Sequence, residues 1–321
     1  MGYLKNGEWH DEWAHNDEDS GEFERDESAF RSWITPDGSP GPTGKGGFPA
    51  EAGRYRLYIS LACPWAHRAN AVRHLKGLTV AIELNVVHWL MTDGGWSFRD
   101  GECVTGDPAI GADNLHELYT HAKPDYSGHV TVPVLWDTQT ETIVNNESAD
   151  IMRMLGSAFD GCGANDLDLY PEDHRDEIDA LNERIYDAVN NGVYKAGFAT
   201  TQEAYDKAVK PLFAMLDELG DRLDGRDWLI GDRLSETDIR LWTTLIRFDP
   251  VYHTHFKCNI RRIADYPNLA AFTRRIYDLD GIAETVNFRH IKHHYYESHE
   301  RINPHGIVPA GPEPILPGET A

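Results

Sequence analysis

Cys63-Pro64-Trp65-Ala66-His67-Arg68 falls where a short strand pattern ends and a helix pattern begins. A thiol at that junction faces the unpaired N–H groups and the positive end of the helix dipole. Both favour the thiolate and lower its pKa, which makes Cys63 a nucleophile near neutral pH. Pro64 gives up no needed hydrogen bond in a first turn. No second cysteine stands two residues on. Cys63 therefore has to form a mixed disulfide with a small thiol and be released by another thiol. The competing reading is a buried, inert cysteine. Cys63 and His67, one helical turn apart, also admit a cysteine-hydrolase pair, but without a separate orienting group or an oxyanion signature.

Two further spots have chemical potential. Val132-Pro133 sits inside a strand pattern, where proline removes a ladder donor and marks an edge or a bend. A cis bond there would turn the backbone N–H and C=O of Val132 toward a peptide ligand; an edge strand with a trans bond is the plainer alternative. Asn146-Glu147-Ser148 precedes a helix pattern. Backbone N–H groups and a hydroxyl at a helix start bind carboxylates, and Glu147 can take an ammonium, so the group suits the α-amino-acid end of a γ-glutamyl peptide. An ordinary N-cap explains the same residues.

These spots need elements to hold them. RYRLYIS, Arg54 to Ser60, reads as a strand by its period of two. Pro64 to Lys76 suits a helix, and Thr79 to His88 is strand-rich. A long Gly-rich loop is expected through about Asp125. Val130 to Val144 reads as two strands around a tight polar turn, and Ser148 to Leu155 opens a helix. The order β-α-β, loop, β-β-α describes a small mixed sheet with helices packed on it. The remainder is helical: Ile178, Leu181, Ile185 and Val189 share a face, as do Tyr205, Val209, Leu212, Leu216, Leu219 and Leu223. Ser235 and Asp238 form an approximate capping box before an apolar run, and Pro267 opens another helix over Asn268 to Leu279.

The expected division is an extended N-terminal arm over 1–50, an α/β domain over 51–157, an all-α domain over 170–300 and an extended Pro/Gly-rich tail over 301–321. Trp9, Trp13, Phe23, Phe30 and Trp33 imply that part of the arm docks on the body.

The 321 residues suit two domains, and their 40% apolar content excludes a wholly disordered chain. No apolar run approaches a bilayer span, and the polar, acidic start is unlike a secretory signal, so the reading is a soluble cytoplasmic protein. The formal charge of −23 disfavours nucleic-acid and membrane partners. Acid-rich, lysine-poor composition, with 9 Lys against 21 Arg, matches a protein from a salt-loving, halophilic source, where salt screens self-repulsion. Four cysteines without a CxxC exclude a disulfide scaffold and a zinc ribbon. Cys103, Cys162 and Cys258 read as structural.

YISLACPWAHRA, GGWSF, TVPVLWD, NNESADI, NNGVYKAGFA, RFDPVYHTHFKCN and HHYYESH…INPHGIVP follow one another from about residue 55 to 309. The chain resembles the glutathionyl-hydroquinone reductases, the Xi class of glutathione transferases. The resemblance implies a thioredoxin-like domain followed by a helical one, with a site in the cleft between them, and a homodimer in which arm and tail help form the interface. It implies reductive deglutathionylation of hydroquinone thiol adducts by Cys63. Trp96, Val132, Pro133, Glu147 and Ser148 match the thiol-peptide contacts. Tyr194 and one of Tyr295 and Tyr296, with Tyr295 favoured, match the hydroquinone pocket, and Tyr252 is a weaker candidate. Phenols are suitable donors to the ring oxygens when the quinoid form accepts electrons. Each tyrosine taken alone is an ordinary half-buried residue.

One departure stands out. Where the family pattern has an arginine before an LHELY-like stretch, this chain has Asp113 in GADNLHELY. An acid there repels the glycine carboxylate of glutathione. Either another cation serves, such as Arg99, or the co-substrate is γ-glutamylcysteine. Sixteen histidines, with His290, His293 and His294 clustered, His299 and His305 beyond, and His253 and His255 earlier, invite a metal. Clear ligand spacing is lacking, and no metal is expected. A general exchanger acting on protein mixed disulfides and a non-catalytic binding protein on the same fold are the alternative functions.

Overall fold

The computed structural model describes residues 2–12, 16–17, 19–43 and 46–312. Trp13 lies outside them. The chain forms two compact units: residues 1–14, 26–168 and 284–290, and residues 15–25, 169–283 and 291–321.

The first unit opens with a hairpin, β1 (Tyr3–Lys5) and β2 (Glu8–His10). Asn6 and Gly7 turn it with φ of 50° and 80°, a left-handed pair that a two-residue hairpin requires. Two short strands come next, β3 (Ile34–Thr35) and β4 (Phe48–Pro49), paired in parallel. The stretch expected to be an extended arm, docked in part on the body, holds four short strands. β1–β2 is a local hairpin on Asn6-Gly7 and β3 pairs with β4 within the arm; only the pairing of β1 with Gly128–His129 joins the arm to distant chain.

The core of the unit is built by β5 (Tyr55–Ile59), α1 (Pro64–Leu75) and β6 (Ile82–Val86), then α2 (Leu115–Ala122), β7 (Gly128–His129), β8 (Val134–Asp137), β9 (Thr142–Asn145) and α3 (Ser148–Ser157). The main sheet runs β6-β5-β8-β9. β5 and β6 are parallel, and β8 is antiparallel to both β5 and β9. Tyr55, Leu57, Tyr58 and Ile59 are buried on it, and α1 packs against α3. Arg54 reaches Asp137 with two bonds of 2.7 Å, a buried bidentate pair that anchors the β8–β9 turn. The expected Gly-rich loop up to Asp125 contains α2. Leu115, Leu118 and Tyr119 bury its inner face, and Glu117 accepts from the Asn114 N–H at 2.9 Å in a capping box.

The second unit is helical: α4 (Arg175–Ile185), α5 (Gly192–Phe198), α6 (Gln202–Arg222), α7 (Glu236–Arg247), α8 (Pro267–Tyr277) and the greater part of α9 (Phe288–Ser298). Both expected apolar faces are buried, apart from half-buried Tyr205. Ser235 and Asp238 cap α7, with the Ser235 hydroxyl 2.8 Å from the carboxylate. Two π turns, Tyr186–Asn190 after α4 and Phe248–Tyr252 after α7, close with bonds from Asn191 N–H to Tyr186 C=O and from His253 N–H to Phe248 C=O, each 2.8 Å. Among the described residues no helix is long and apolar enough to cross a membrane.

Candidate active site

Cys63 is the N-cap of α1, in extended backbone, and the Ala66 N–H donates to its Sγ at 3.4 Å. The helix's positive end and this N–H both favour a negative sulfur. The thiol is half-buried rather than sealed in the core. Its Sγ also lies 3.6 Å from the Val132 carbonyl oxygen, so the cysteine and the Val-Pro turn are neighbours in the first unit. The Val132–Pro133 bond is cis, and both residues are buried. His67 Nε2 meets Thr285 Oγ1 at 2.7 Å, both side chains buried.

Glu147 caps α3: Oε1 accepts from the Ala149 N–H at 3.1 Å and lies 3.4 Å from the Ser148 hydroxyl. A residue that sequence reasoning missed ties this corner to the Val-Pro turn. The buried Tyr119 hydroxyl donates to Thr131 C=O at 2.7 Å and accepts from Asn146 Nδ2 at 3.2 Å. Trp96 is buried, and its carbonyl accepts from the Leu115 N–H. Trp9 braces the preceding loop. Its Nε1 donates to Asp93 C=O at 2.6 Å and its ring stacks on His116 at 4.7 Å. Gly95 passes beneath with φ +74°, where a Cβ would lie 2.8 Å from the indole. Asp113 is exposed, with its backbone carbonyl accepting from Phe98 N–H. Arg99 is exposed as well; its guanidinium donates to His88 Nδ1 at 3.1 Å.

The second unit gathers three phenols. Tyr194 of α5 and Tyr295 of α9 place their hydroxyls 2.6 Å apart, and Tyr252 of the second π turn lies 3.0 Å from Tyr295. Burial pushes Tyr252 and Tyr295 far above the usual phenol range, while the buried Arg247 pulls them down in part. Tyr252 and Tyr295 therefore remain neutral near pH 7. Tyr194 comes nearest the surface, at 9% exposure against 0% and 1% for Tyr252 and Tyr295. Phe23 stacks on Tyr194, and the Arg25 guanidinium lies 5.1 Å from its ring centroid. Tyr296 is apart from the trio: its hydroxyl donates to Pro250 C=O at 3.3 Å. Behind Tyr295, His255 Nε2 and His299 Nδ1 meet at 3.1 Å. Burial pulls His255 down to about 3 and His299 well below its ordinary value, so both rings are neutral. Among the described residues no three His, Cys, Asp or Glu side chains are grouped to hold a metal.

Residues 62–158 match the glutathione S-transferase N-terminal domain and residues 202–275 its C-terminal domain. The chain is 57% identical over 313 residues to the glutathionyl-hydroquinone reductase YqjG of Escherichia coli K12, covering 97% of this chain and 95% of that protein. The chain belongs to the glutathionyl-hydroquinone reductase family. The reductase PcpF of Sphingobium chlorophenolicum is 50% identical, covering 100% of this chain and 99% of its own. Among solved structures, glutathione-bound YqjG superposes with a TM-score of 0.90 at 55% identity, covering 97% of this chain and 96% of that one. The Xi transferase of Phanerochaete chrysosporium gives 0.87 at 51%, covering 92% and 99%. The first unit is accordingly the thioredoxin-like domain of this reductase family, and the second is its helical domain.

Proposed function

We propose that this chain reductively removes glutathione from glutathionyl-hydroquinones. The observation that carries this reading is a half-exposed Cys63 at a helix N-terminus in a chain 57% identical to a reductase of that name. The Cys63 thiolate attacks the sulfur of the adduct. The bond between sulfur and ring carbon breaks, its electron pair stays with the ring, and the carbon takes a proton to give the hydroquinone. A second thiol attacks the Cys63 mixed disulfide, the Cys63 thiolate leaves, and the disulfide of the small thiol departs. The proton lost by that second thiol balances the one gained by the ring.

Trp96, Val132, Pro133, Glu147 and Ser148 are the proposed contacts for the thiol peptide, with Glu147 facing its α-ammonium. Tyr194, Tyr295 and Tyr252 are the proposed donors to the ring oxygens; the position of the Tyr296 hydroxyl on Pro250 supports Tyr295 over its neighbour. The exposed acid at 113, with Arg99 turned to His88, supports γ-glutamylcysteine as an alternative co-substrate to glutathione. The acidic composition supports a salt-loving source. A free-thiol mechanism suits a reducing cytoplasm, and the protein is expected there as a homodimer.

Mass spectrometry after exposure to a glutathionyl-hydroquinone without added thiol tests the reading. One small thiol added on Cys63, with hydroquinone released, is expected; an unmodified Cys63 under turnover overturns it. Comparing turnover with glutathione and with γ-glutamylcysteine then fixes the co-substrate.

A further inference from the structure

The arm segment Asp26–Ser32 runs along the strand end that delivers Glu147. Ser32 N–H donates to Val144 C=O at 3.0 Å, Asn146 N–H to Phe30 C=O at 3.1 Å, and Phe30 N–H to the Asn146 side-chain oxygen at 3.0 Å. Both ends of the segment are pinned by side-chain hydrogen bonds. The Asp26 carboxylate meets His129 Nδ1 at 2.6 Å, and Arg31 grips Asp150 of α3 with bonds of 2.5 and 3.0 Å. Ser28 sits between these anchors. Its hydroxyl lies 3.0 Å from Glu147 Oε2 and 3.3 Å from Asn146 C=O. One proton faces two acceptors, and the nearer one carries the charge, which makes it the stronger acceptor.

Glu147 is thus held from two sides. Oε1 faces the Ala149 N–H and the Ser148 hydroxyl of its own helix, and Oε2 faces an arm residue 119 positions away in sequence. A carboxylate offers about four lone-pair sites, so a carboxylate fixed this way still has a direction left for one more donor. Fixing that direction before a ligand arrives removes an ordering cost from binding. We propose that Ser28 is a positioning residue of the thiol site, aiming the Glu147 carboxylate at the α-ammonium of the thiol peptide. The arm thereby becomes part of the specificity device for γ-glutamyl thiols. This rests on the reading of Glu147 as the ammonium contact.

The test compares wild type, Ser28→Ala, Ser28→Thr and Glu147→Gln with two thiols: glutathione, and an analogue in which hydrogen replaces the α-amino group. Ser28→Ala is expected to raise KM for glutathione about tenfold, the loss of one hydrogen bond to a charged group, with kcat unchanged. KM for the deaminated thiol should stay at the wild-type value, and Ser28→Thr, which keeps the hydroxyl, should restore KM for glutathione. An unchanged glutathione KM in Ser28→Ala, or an equal rise for both thiols, overturns the proposal. Glu147→Gln separates the two layers. If it raises the glutathione KM while Ser28→Ala does not, only the role of Ser28 fails. If it changes nothing, the reading of Glu147 falls, and the role of Ser28 with it.

Discussion

The thioredoxin-like unit holds Cys63 and Glu147 at the starts of α1 and α3, where backbone N–H groups meet sulfur and carboxylate within three residues of each. The helical unit assembles Tyr194, Tyr252 and Tyr295 from three separate segments and buries their hydroxyls against one another. The first arrangement is local and half-exposed. The second depends on long-range packing, and each hydroxyl is a partner its neighbour loses when it is removed. A site made from helix ends keeps most of its field when a side chain changes, because the dipole and the N–H groups remain. A buried hydroxyl chain has no such reserve.

Three experiments break or sharpen that contrast. The largest effect belongs to Cys63→Ala, which should reduce hydroquinone release to the uncatalysed background; retained turnover would move the chemistry away from the helix end. Cys63→Ser should lose reduction too, since a hydroxyl forms no mixed disulfide. Next in size is the pair Tyr295→Phe and Tyr296→Phe. Removing a donor aimed at developing charge costs about 10²-fold in kcat, expected for Tyr295→Phe, whereas Tyr296→Phe should stay within about twofold. The reverse order would dissolve the trio as a functional unit. The smallest effect is a pH dependence of stability. His255 is held neutral in the fold down to about pH 3, while in the unfolded chain it takes a proton below about 6.5. Its contribution is therefore complete above pH 6.5 and is lost as pH falls toward 3, by up to about 1.4 kcal/mol per pH unit. His299 shifts in the same direction. Urea midpoints measured between pH 7 and 5 should fall with pH and do so less in His255→Phe; identical slopes would remove this pair from the account.

The same contrast explains what could be read from the chain alone. A strand end, Cys-Pro and a helix pattern lie within a dozen residues, so the setting of Cys63 obeys local rules. Glu147-Ser148 is legible for the same reason. The tyrosines carry no local signature, and only the motifs around them bring them forward; which of Tyr295 and Tyr296 joins Tyr194 depends on the rotation of α9, which spacing alone does not decide. α2 is hidden in the sequence because the glycines before it mask the Asn114 and Glu117 capping signal. The arm is the least legible part of the chain. Its strands pair with residues more than 100 positions away in one case, and Trp9, Ser28 and Arg31 find their partners through that folding-back.

The two π turns have a consequence for inheritance. Each closes on a residue five positions back, one more than an α-helix would use. Dropping a single amino acid from the turn ahead of Tyr252 would let it close four positions back, as an ordinary helix does, with the downstream chain leaving in nearly the same direction. Tyr252 would then keep both its chemistry and its company. The extra residue of each turn is thus a place where the chain can lose one codon with the phenols still gathered.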